Sequence, residues 1–550
     1  MKKAILIHEN DDLAVALTDL SKGEVVNVSG QDITLLDAVQ AKHKFAMKDF
    51  KEGDEVHMYN VVVGVAKYAI SQGQALTVSN LVHKSESFSS EEKHEFVWEK
   101  PDVSRFDGRE FLGYHRKDGQ VGTGNYWLVF PLVFCENRNI ETIKKAFEKG
   151  LGFEKQDPYT ALVDKLVQKY ESNELASGNI EFDLESIASS ATSPKVFENI
   201  DGIRFLTHQG GCGGTRQDAE TLCRLLAGYV NNPNVAGATV LSLGCQNAQS
   251  KILEDALKKV NPNLDKPVLI YDQQETGKEQ ELIKNAITGT FMALVEANKE
   301  TRKPAPLSKL VVGLECGGSD GFSGISANPS VGYVSDLVVG LGGKAILSEF
   351  PELCGVEQEL INRTVEKQDA DKFVEIMRAY EKAAVEAGSG FDMNPSPGNI
   401  KDGLITDAMK SAGAAKKGGT SPVTAVLDYT EYATKPGLNL LCTPGNDVES
   451  TTGLAGSGAN VILFTTGLGT PTGNPVTPVL KVASNSALAQ RMPDIIDIDT
   501  GPVIRGEKTI EEMGEEMLEF IIDIASGKAQ SKAMILGQYD FIPWKRGVSL

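Results

Sequence analysis

From residue 111 onward the sequence repeats one pattern: a short β-branched apolar run, a glycine turn, then an amphipathic stretch. The runs "YWLVFPLVFC", "GIRFLTHQ", "ATVLSLGC", "PVLIYD" and "LVVGLEC" are strand-like, and "IETIKKAFEKG", "RQDAETLCRLLAGYV" and "SKILEDALKKV" carry helical periodicity. Further runs follow in "KAILSE", "VTAVLD", "LNLLCTPGND", "ANVILFTTG" and "PVLKVAS". Strands that alternate with helices pair in parallel. Strands that are apolar on both faces are covered on both sides. The pattern therefore predicts an α/β fold with largely parallel sheets.

The first 84 residues differ. "SKGEVVNV", "KEGDEVHMY" and "SQGQALTVS" each set a glycine before an extended run, which suits hairpins in a small β-rich domain. Within it "DDLAVALTDL" has a more helical look. Residues 85–110 are charged and Ser-rich, and are expected to be a linker with no function beyond tethering. "ANKETRKPAPLSK" breaks the pattern near residue 305. The expected division is 1–84, a linker at 85–110, an α/β domain at 111–304 and a second, catalytic α/β domain at 305–550. A chain of 550 residues exceeds what one core can serve.

A net charge of −20 and a pI near 5.0 argue against nucleic acid or an anionic membrane as partner, and leave a small-molecule substrate. No apolar run reaches the roughly 18 residues of a membrane span. The start "MKKAILIHENDD" has too short an apolar run for a signal peptide, and seven cysteines make no disulfide framework. A reducing, cytoplasmic location is expected. A homodimer is expected from the commonness of that symmetry.

In "LVVGLECGGSD" an apolar run stops on Cys316 and turns at once on two glycines. Cys135, Cys212 and Cys245 stand at or just past the ends of three other runs. Ligands of open α/β sheets bind outside the carboxyl ends of strands, so the four thiols are expected to converge on one crevice. Thiolates suit iron–sulfur clusters, iron or zinc. Cys223 and Cys354 are read as small packing residues. Other strand ends carry Glu349, backed by Glu352 and Glu357, then Asn446 with Asp447, and Thr465 with Thr466, while Asp320 follows the Cys316 turn. No phosphate-binding P-loop is present, and no clean G-x-G-x-x-G follows a strand. His8 ends the strand "KAILIH", and His43 with Lys44 makes a candidate anion or proton site.

The stretches "IHENDDLAVAL", "HKFAM", "GYHRKDGQVGTGN", "LSLGC", "ECGGSDGFSGISANP", "LSEFPELCGVEQ", "NPSPGN", "CTPGNDVESTTGLAGSGA" and "FTTGLGTPTGNP" run through the whole chain. In them the chain resembles the altronate/galactarate dehydratase family of sugar-acid dehydratases. The resemblance implies an N-terminal SAF-type β-clip domain and a two-part catalytic body. It also implies loss of water from a hexonate to give a 2-keto-3-deoxy acid, with iron(II) or another divalent metal. It places metal binding at Cys135, Cys212, Cys245 and Cys316, as a ferrous site or as an iron–sulfur centre on three thiolates with Cys135 just outside. His8, Asp11, His43 and Lys44 match its SAF motif. His43 and Lys44 are then expected to serve acid/base work and carboxylate contact, with His8 beside them. That requires the small domain to lie over the α/β crevice, in the same chain or from a partner subunit. Asp320, Glu349, Asn446, Asp447 and Thr466 are the expected substrate contacts.

Two departures stand out. Gly124 occupies the place of an arginine in "VGTGN", and "THQGGCGG" is richer in glycine than the family phrase. If the missing arginine grips substrate, the hexonate differs from altronate. Galactarate dehydration and a sulfo-lyase that expels sulfite through the same enolate are the alternatives. A non-catalytic sugar-acid or metal binder is the distant one.

Overall fold

In the computed structural model, residues 2–153, 158–172 and 194–550 are described. Three short strands of the N-terminal part, β1 (Ala4–Ile5), β2 (Leu13–Ala16) and β3 (Lys44–Ala46), pair antiparallel in the order β1-β2-β3. The hairpin Val25–Val28/Gln31–Thr34 and the sheet of Glu55–Met58, Val61–Ala66 and Leu81–Val82 complete this β-rich unit. The helical look of "DDLAVALTDL" is corrected here. All four residues of β2 are buried, so both faces are apolar and the alternation that marks a strand is absent.

The alternating region forms two parallel sheets. The smaller has four strands: β4 (Tyr126–Pro131), β5 (Gly202–Phe205), β6 (Val235–Ser242) and β7 (Val268–Asp272), ordered β5-β4-β6-β7. The larger has seven: β8 (Val311–Cys316), β9 (Lys344–Leu347), β10 (Val423–Leu427), β11 (Gly437–Leu441), β12 (Val461–Thr466), β13 (Val479–Ala483) and β14 (Ile498–Asp499). Their order is β10-β11-β9-β8-β12-β13-β14. Every residue of β4, β6, β8 and β12 is buried, which is why these strands read as unbroken apolar runs. In each sheet the order reverses beside the strand that enters first, between β4 and β6 and between β8 and β12. Such reversals open a crevice at the carboxyl ends.

Helices α1 (Arg216–Asn231) and α3 (Asp447–Gly456) join the two sheets, while α2 (Asp407–Ala415) faces the N-terminal unit. α1 and α3 meet at glycine: a Cβ on Gly228 would stand 2.0 Å from the carbonyl oxygen of Gly456. Around this crossing the seam is sewn by buried amides. Asn232 donates to Ala455 O and Ala459 O at 2.9 Å each, and Asn234 to Asn460 O at 3.2 Å and Val476 O at 2.8 Å. Asn460 accepts from Val311 N (2.8 Å) and donates to Lys309 O (3.0 Å) and Val121 O (3.2 Å).

Residues 85–110 cross between the β-rich unit and the body, and they are laid against the body. Ser89 N donates to Gln358, Trp98 Nε1 to Thr420 Oγ1, Arg105 pairs with Glu515 and Arg109 with Glu519, while Phe106 is buried. Among the described residues no helix is long and apolar enough to cross a membrane.

Asn460→Ala removes a hydrogen-bond partner from two buried backbone groups, Val311 N and Val121 O, and from the part-buried Lys309 O. A loss of ~2–4 kcal/mol is expected in urea unfolding, at 1–3 kcal/mol for each group left unpaired and partial relief by water. A loss below about 0.5 kcal/mol, the range of ordinary surface changes, would show that the amide seam is not a structural joint.

Candidate active site at the carboxyl ends of the sheets

β8 ends on Glu315 and Cys316, both buried. β9 delivers Ser348 and Glu349 beside them, and the turn Phe350–Leu353 brings Glu352. Glu349 is held in the left-handed region, φ +70°, a conformation that costs free energy for any side chain but glycine. Its Oε2 accepts from Cys316 N at 3.0 Å and from Lys417 Nζ at 2.8 Å, with both side chains 1% exposed. Glu352 pairs with Lys410 of α2, and Asn394 Oδ1 accepts from the same Nζ at 2.9 Å. Cys316 Sγ donates to Glu352 Oε2 at 3.1 Å.

Burial sets the protonation of this cluster. It pushes the Glu315 carboxyl well above the usual range, with the charge of Glu349 adding to it. Glu315 Oε2 accepts from Ser348 Oγ at 2.9 Å and is also bonded by Ser450 Oγ. Burial likewise raises the Cys316 thiol, reinforced by Glu349 and Glu352. Burial also works against ionised Glu352, but Lys410 and then Lys417 outweigh it and hold this carboxyl below its usual value. Asp447, half-buried in the first turn of α3, is pushed up to about 6 by burial and then by Glu349 and Glu352.

The two glycines after Cys316 now have their reason. A Cβ on Gly317 would lie 2.2 Å from Asp447 Oδ2, so the chain passes the Asp447 carboxylate only as glycine. Gly318 turns with φ +62° beside Thr466 Oγ1. A Cβ on Gly467 would in turn meet the Asp320 carboxylate at 2.2 Å. Asp447, Gly317, Gly318, Thr466, Gly467 and Asp320 thus form one continuous line at the β8/β12 reversal.

The N-terminal unit reaches this line within the same chain. Lys42, itself at φ +76°, pairs with Asp320 at 3.0 Å and Asp402 at 2.8 Å. Lys44 is fully buried and donates to Gly403 O at 2.6 Å. Burial drops its ammonium to about 7, against the pull of Asp320. His43 hydrogen-bonds Lys401 O at 3.1 Å through Nε2, and burial lowers its pKa. His8 keeps to its own turn: its Nδ1 accepts from Asn10 N, and its N–H donates to Asp11. Asp320 is fully engaged, accepting from Phe322 N, Ser323, Ser484 and Asn485 as well as Lys42. Thr466 Oγ1 accepts from Gly469 N at 2.9 Å, and Asn446 is exposed and caps α3.

The thiols divide. Cys135, Cys212 and Cys245 are exposed and follow β4, β5 and β6 at one edge of the smaller sheet. Their loops are tied together: Phe134 N donates to Gly210 O at 3.2 Å and Ala248 N to Gly211 O at 3.1 Å. A Cβ on Gly211, φ +96°, would stand 2.0 Å from Leu132 O, so this loop also needs glycine. Beside Cys212 lies a cavity of about 580 Å³ lined by Thr207, Gln209, Asp218, Trp544 and Lys545. Cys316 belongs to the larger sheet and is buried among carboxylates. Among the described residues, two groups of three bring potential metal-ligand atoms within 4.8 Å of one another: Cys316, Glu349 and Glu352, and His83, Cys354 and Asp407. Gly124 stands at the amino end of β4, the edge opposite Cys135, where a Cβ would meet the Tyr126 ring at 2.5 Å.

Sequence reasoning passed over Glu315, Lys410 and Lys417. Glu315 had a signal, an acid inside an otherwise apolar strand. Lys410 and Lys417 had none, since a lysine on a helix or beside glycines reads as surface.

An α/β body with acids and lysines buried together at its strand ends, and a β-rich unit resting on them, has the layout of an enzyme. The known proteins specify which kind. Residues 2–84 match the altronate/galactarate dehydratase SAF domain. Residues 113–298 match the second domain of D-galactarate dehydratase/altronate hydrolase, and 307–549 the C-terminal part of D-galactarate/altronate dehydratase. The chain is 32% identical over 538 residues to the altronate dehydratase of Bacillus subtilis (strain 168), covering 96% of each. Over 525 residues it is 32% identical to the altronate dehydratase of Escherichia coli (strain K12), covering 95% of each. Over 533 residues it is 30% identical to the L-threo-forming galactarate dehydratase of that organism, covering 96% of this chain and 93% of the relative. The chain belongs to the altronate/galactarate dehydratase family of hydro-lyases.

Lys417→Met leaves Glu349 buried without its cation. It is expected to destabilise the fold by about 3–5 kcal/mol. The double variant Glu349→Leu, Lys417→Met is expected to regain most of that loss, because an uncompensated charge costs more than an absent pair. If the double variant is as unstable as the single one, the pair is not what sets the energetics here. Urea unfolding checks both.

Proposed function

We propose that this chain removes water from a hexonate of the altronate type and releases a 2-keto-3-deoxy acid. The observation that carries the proposal is the likeness over the chain's whole length to two altronate dehydratases. The chemistry of the β8/β12 line supports it. Dehydration takes the proton from C2 and expels the hydroxyl from C3, and the resulting enol becomes the ketone. The base must be unprotonated near neutrality and close to cations that tolerate the enediolate's charge. Lys44, brought to about 7 by burial, meets the first need, with Lys42 and His43 beside it. Asp447, at about 6 and half-buried, suits the acid that assists the departing hydroxyl. Thr466 on that line and Asn446, next to Asp447, are assigned to the substrate hydroxyls.

Cys135, Cys212 and Cys245, three exposed thiols on loops tied together, would hold the iron that the family resemblance implies, although their sulfurs are not among the described groups that lie within 4.8 Å of one another. Cys316 fits iron poorly. Its thiol stays protonated on Glu352, and the carboxylates beside it already hold lysines. Bound iron supplies a Lewis acid for a carboxylate or hydroxyl oxygen.

Protein purified without oxygen and supplied with ferrous iron is expected to form a 2-keto acid from D-altronate. The rate should peak between about 6 and 7: above that range Asp447 has lost the proton it donates, and below it the protonation of Lys44 sets the acid limb. Lys44→Met should lower kcat by ~10²-fold or more and remove that limb. The folded protein holds the Lys44 proton less well than the unfolded chain. Stability of the wild type relative to Lys44→Met should therefore rise with pH between about 7 and the ordinary lysine value of 10.5, and stay level below 7. Full turnover in both His43→Ala and Lys44→Ala would overturn the assignment.

Single Cys135→Ser, Cys212→Ser and Cys245→Ser variants should each lose iron on metal analysis, whereas Cys316→Ser should keep it. Iron lost only from Cys316→Ser would reverse the assignment.

A further inference from the structure

The turn after Leu81–Val82 meets the start of α2 and the turn Phe350–Leu353. There His83, Cys354 and Asp407 each present one ligand atom, all within 4.8 Å of one another. A nitrogen, a sulfur and a carboxylate oxygen form the donor set of borderline divalent metals, zinc foremost. With bonds of ~2.0–2.3 Å, donors around such an ion stand roughly 3–4 Å apart, so a small closure brings these three onto one centre.

Simple packing leaves two features without a reason. Asp407 is 1% exposed, its Oδ2 has no hydrogen-bond partner among the described residues, and its carboxyl faces the Cys354 thiol and, at 3.3 Å from Oδ1, Ser411 Oγ. The nearest lysine, Lys410, is committed to Glu352. The second feature is preorganisation. His83 Nδ1 accepts from Ala408 N at 3.3 Å, which orients the ring against the start of α2; a metal bound through Nδ1 would replace that N–H. Gly355, φ +93°, brings Cys354's turn against Ala408 and Ser85. Thr406 Oγ1 donates to Val63 O at 2.7 Å and accepts from Met409 N, so the segment before Asp407 is fastened to the β-rich unit.

We propose that His83, Cys354 and Asp407 bind a divalent transition metal of the zinc type, which clips the N-terminal unit to α2. Three protein ligands leave a fourth position for water. Burial raises both the Cys354 thiol and the Asp407 carboxyl, and any proton either group carries leaves to solvent as its bond to the ion forms. Burial lowers the His83 pKa, and coordination through Nδ1 exchanges the Ala408 N–H for the ion. The sequence alone had assigned Cys354 to packing. This site shares no residue with the Cys135, Cys212 and Cys245 edge.

The test uses the full chain, stripped with chelator and titrated with Co²⁺ without oxygen. A Cys135→Ser, Cys212→Ser, Cys245→Ser triple variant removes the competing thiols. In that background one Co²⁺ per chain should bind with a sulfur-to-cobalt charge-transfer band, and Zn²⁺ should displace it and raise Tm. Adding Cys354→Ser should abolish the band. Asp407→Asn and His83→Gln should each weaken Co²⁺ binding by tenfold or more, and these two keep the test valid if the serine variant does not fold. Absence of a thiolate band in the triple variant, or a band unchanged by Cys354→Ser, overturns the proposal.

Discussion

The ion pair between Glu349 and Lys417, sealed at the end of the central strands, is the constraint on which the site depends. Two charges that deep are tolerable only if each is neutralised and hydrogen-bonded. Lys417 neutralises Glu349, the Cys316 N–H adds a bond, and the left-handed turn at Glu349 keeps the carboxylate on both. Lys410 and Glu352 repeat the arrangement from α2. Around these pairs burial raises the Glu315 carboxyl and the Cys316 thiol, and Asp447 keeps its proton to a higher pH than a free aspartate.

The same economy governs how the β-rich unit rests on the body. Lys42 reaches Asp320 and Asp402, so its charge is balanced. Lys44 has only a carbonyl for a partner, and it yields its proton near pH 7 instead. Neighbouring lysines are thereby given opposite characters by their partners: one a fixed cation, the other an amine able to take a proton. The glycines at 321 and 403, each packed within about 2.4 Å of where Lys42 O would meet a Cβ, let the two parts approach closely enough for this.

Much of the large-scale fold could be read from the sequence, because buried parallel strands must be apolar on both faces. That same rule hid β2, whose "LAVA" lacks alternation for the same reason. The strand-end argument located Cys135, Cys212, Cys245 and Cys316 at carboxyl ends, but it has no term for what surrounds a thiol. It could not separate three exposed thiols from one enclosed by Glu349 and Glu352. Pairing decides protonation, and pairing is tertiary: Lys410 and Lys417 are distant in sequence from the acids they serve. The segment 85–110 lacked periodicity because it is held by scattered contacts such as Trp98 with Thr420, not by a repeating face.

The central claim is that water leaves across C2 and C3 of a hexonate. The direct measurement is the proton NMR spectrum of the product formed from D-altronate in D₂O. Dehydration through an enol predicts a 2-keto-3-deoxy acid carrying one deuterium at C3, taken from solvent when the enol becomes the ketone. A product with no deuterium at C3, or no turnover by folded, iron-loaded protein, would contradict it.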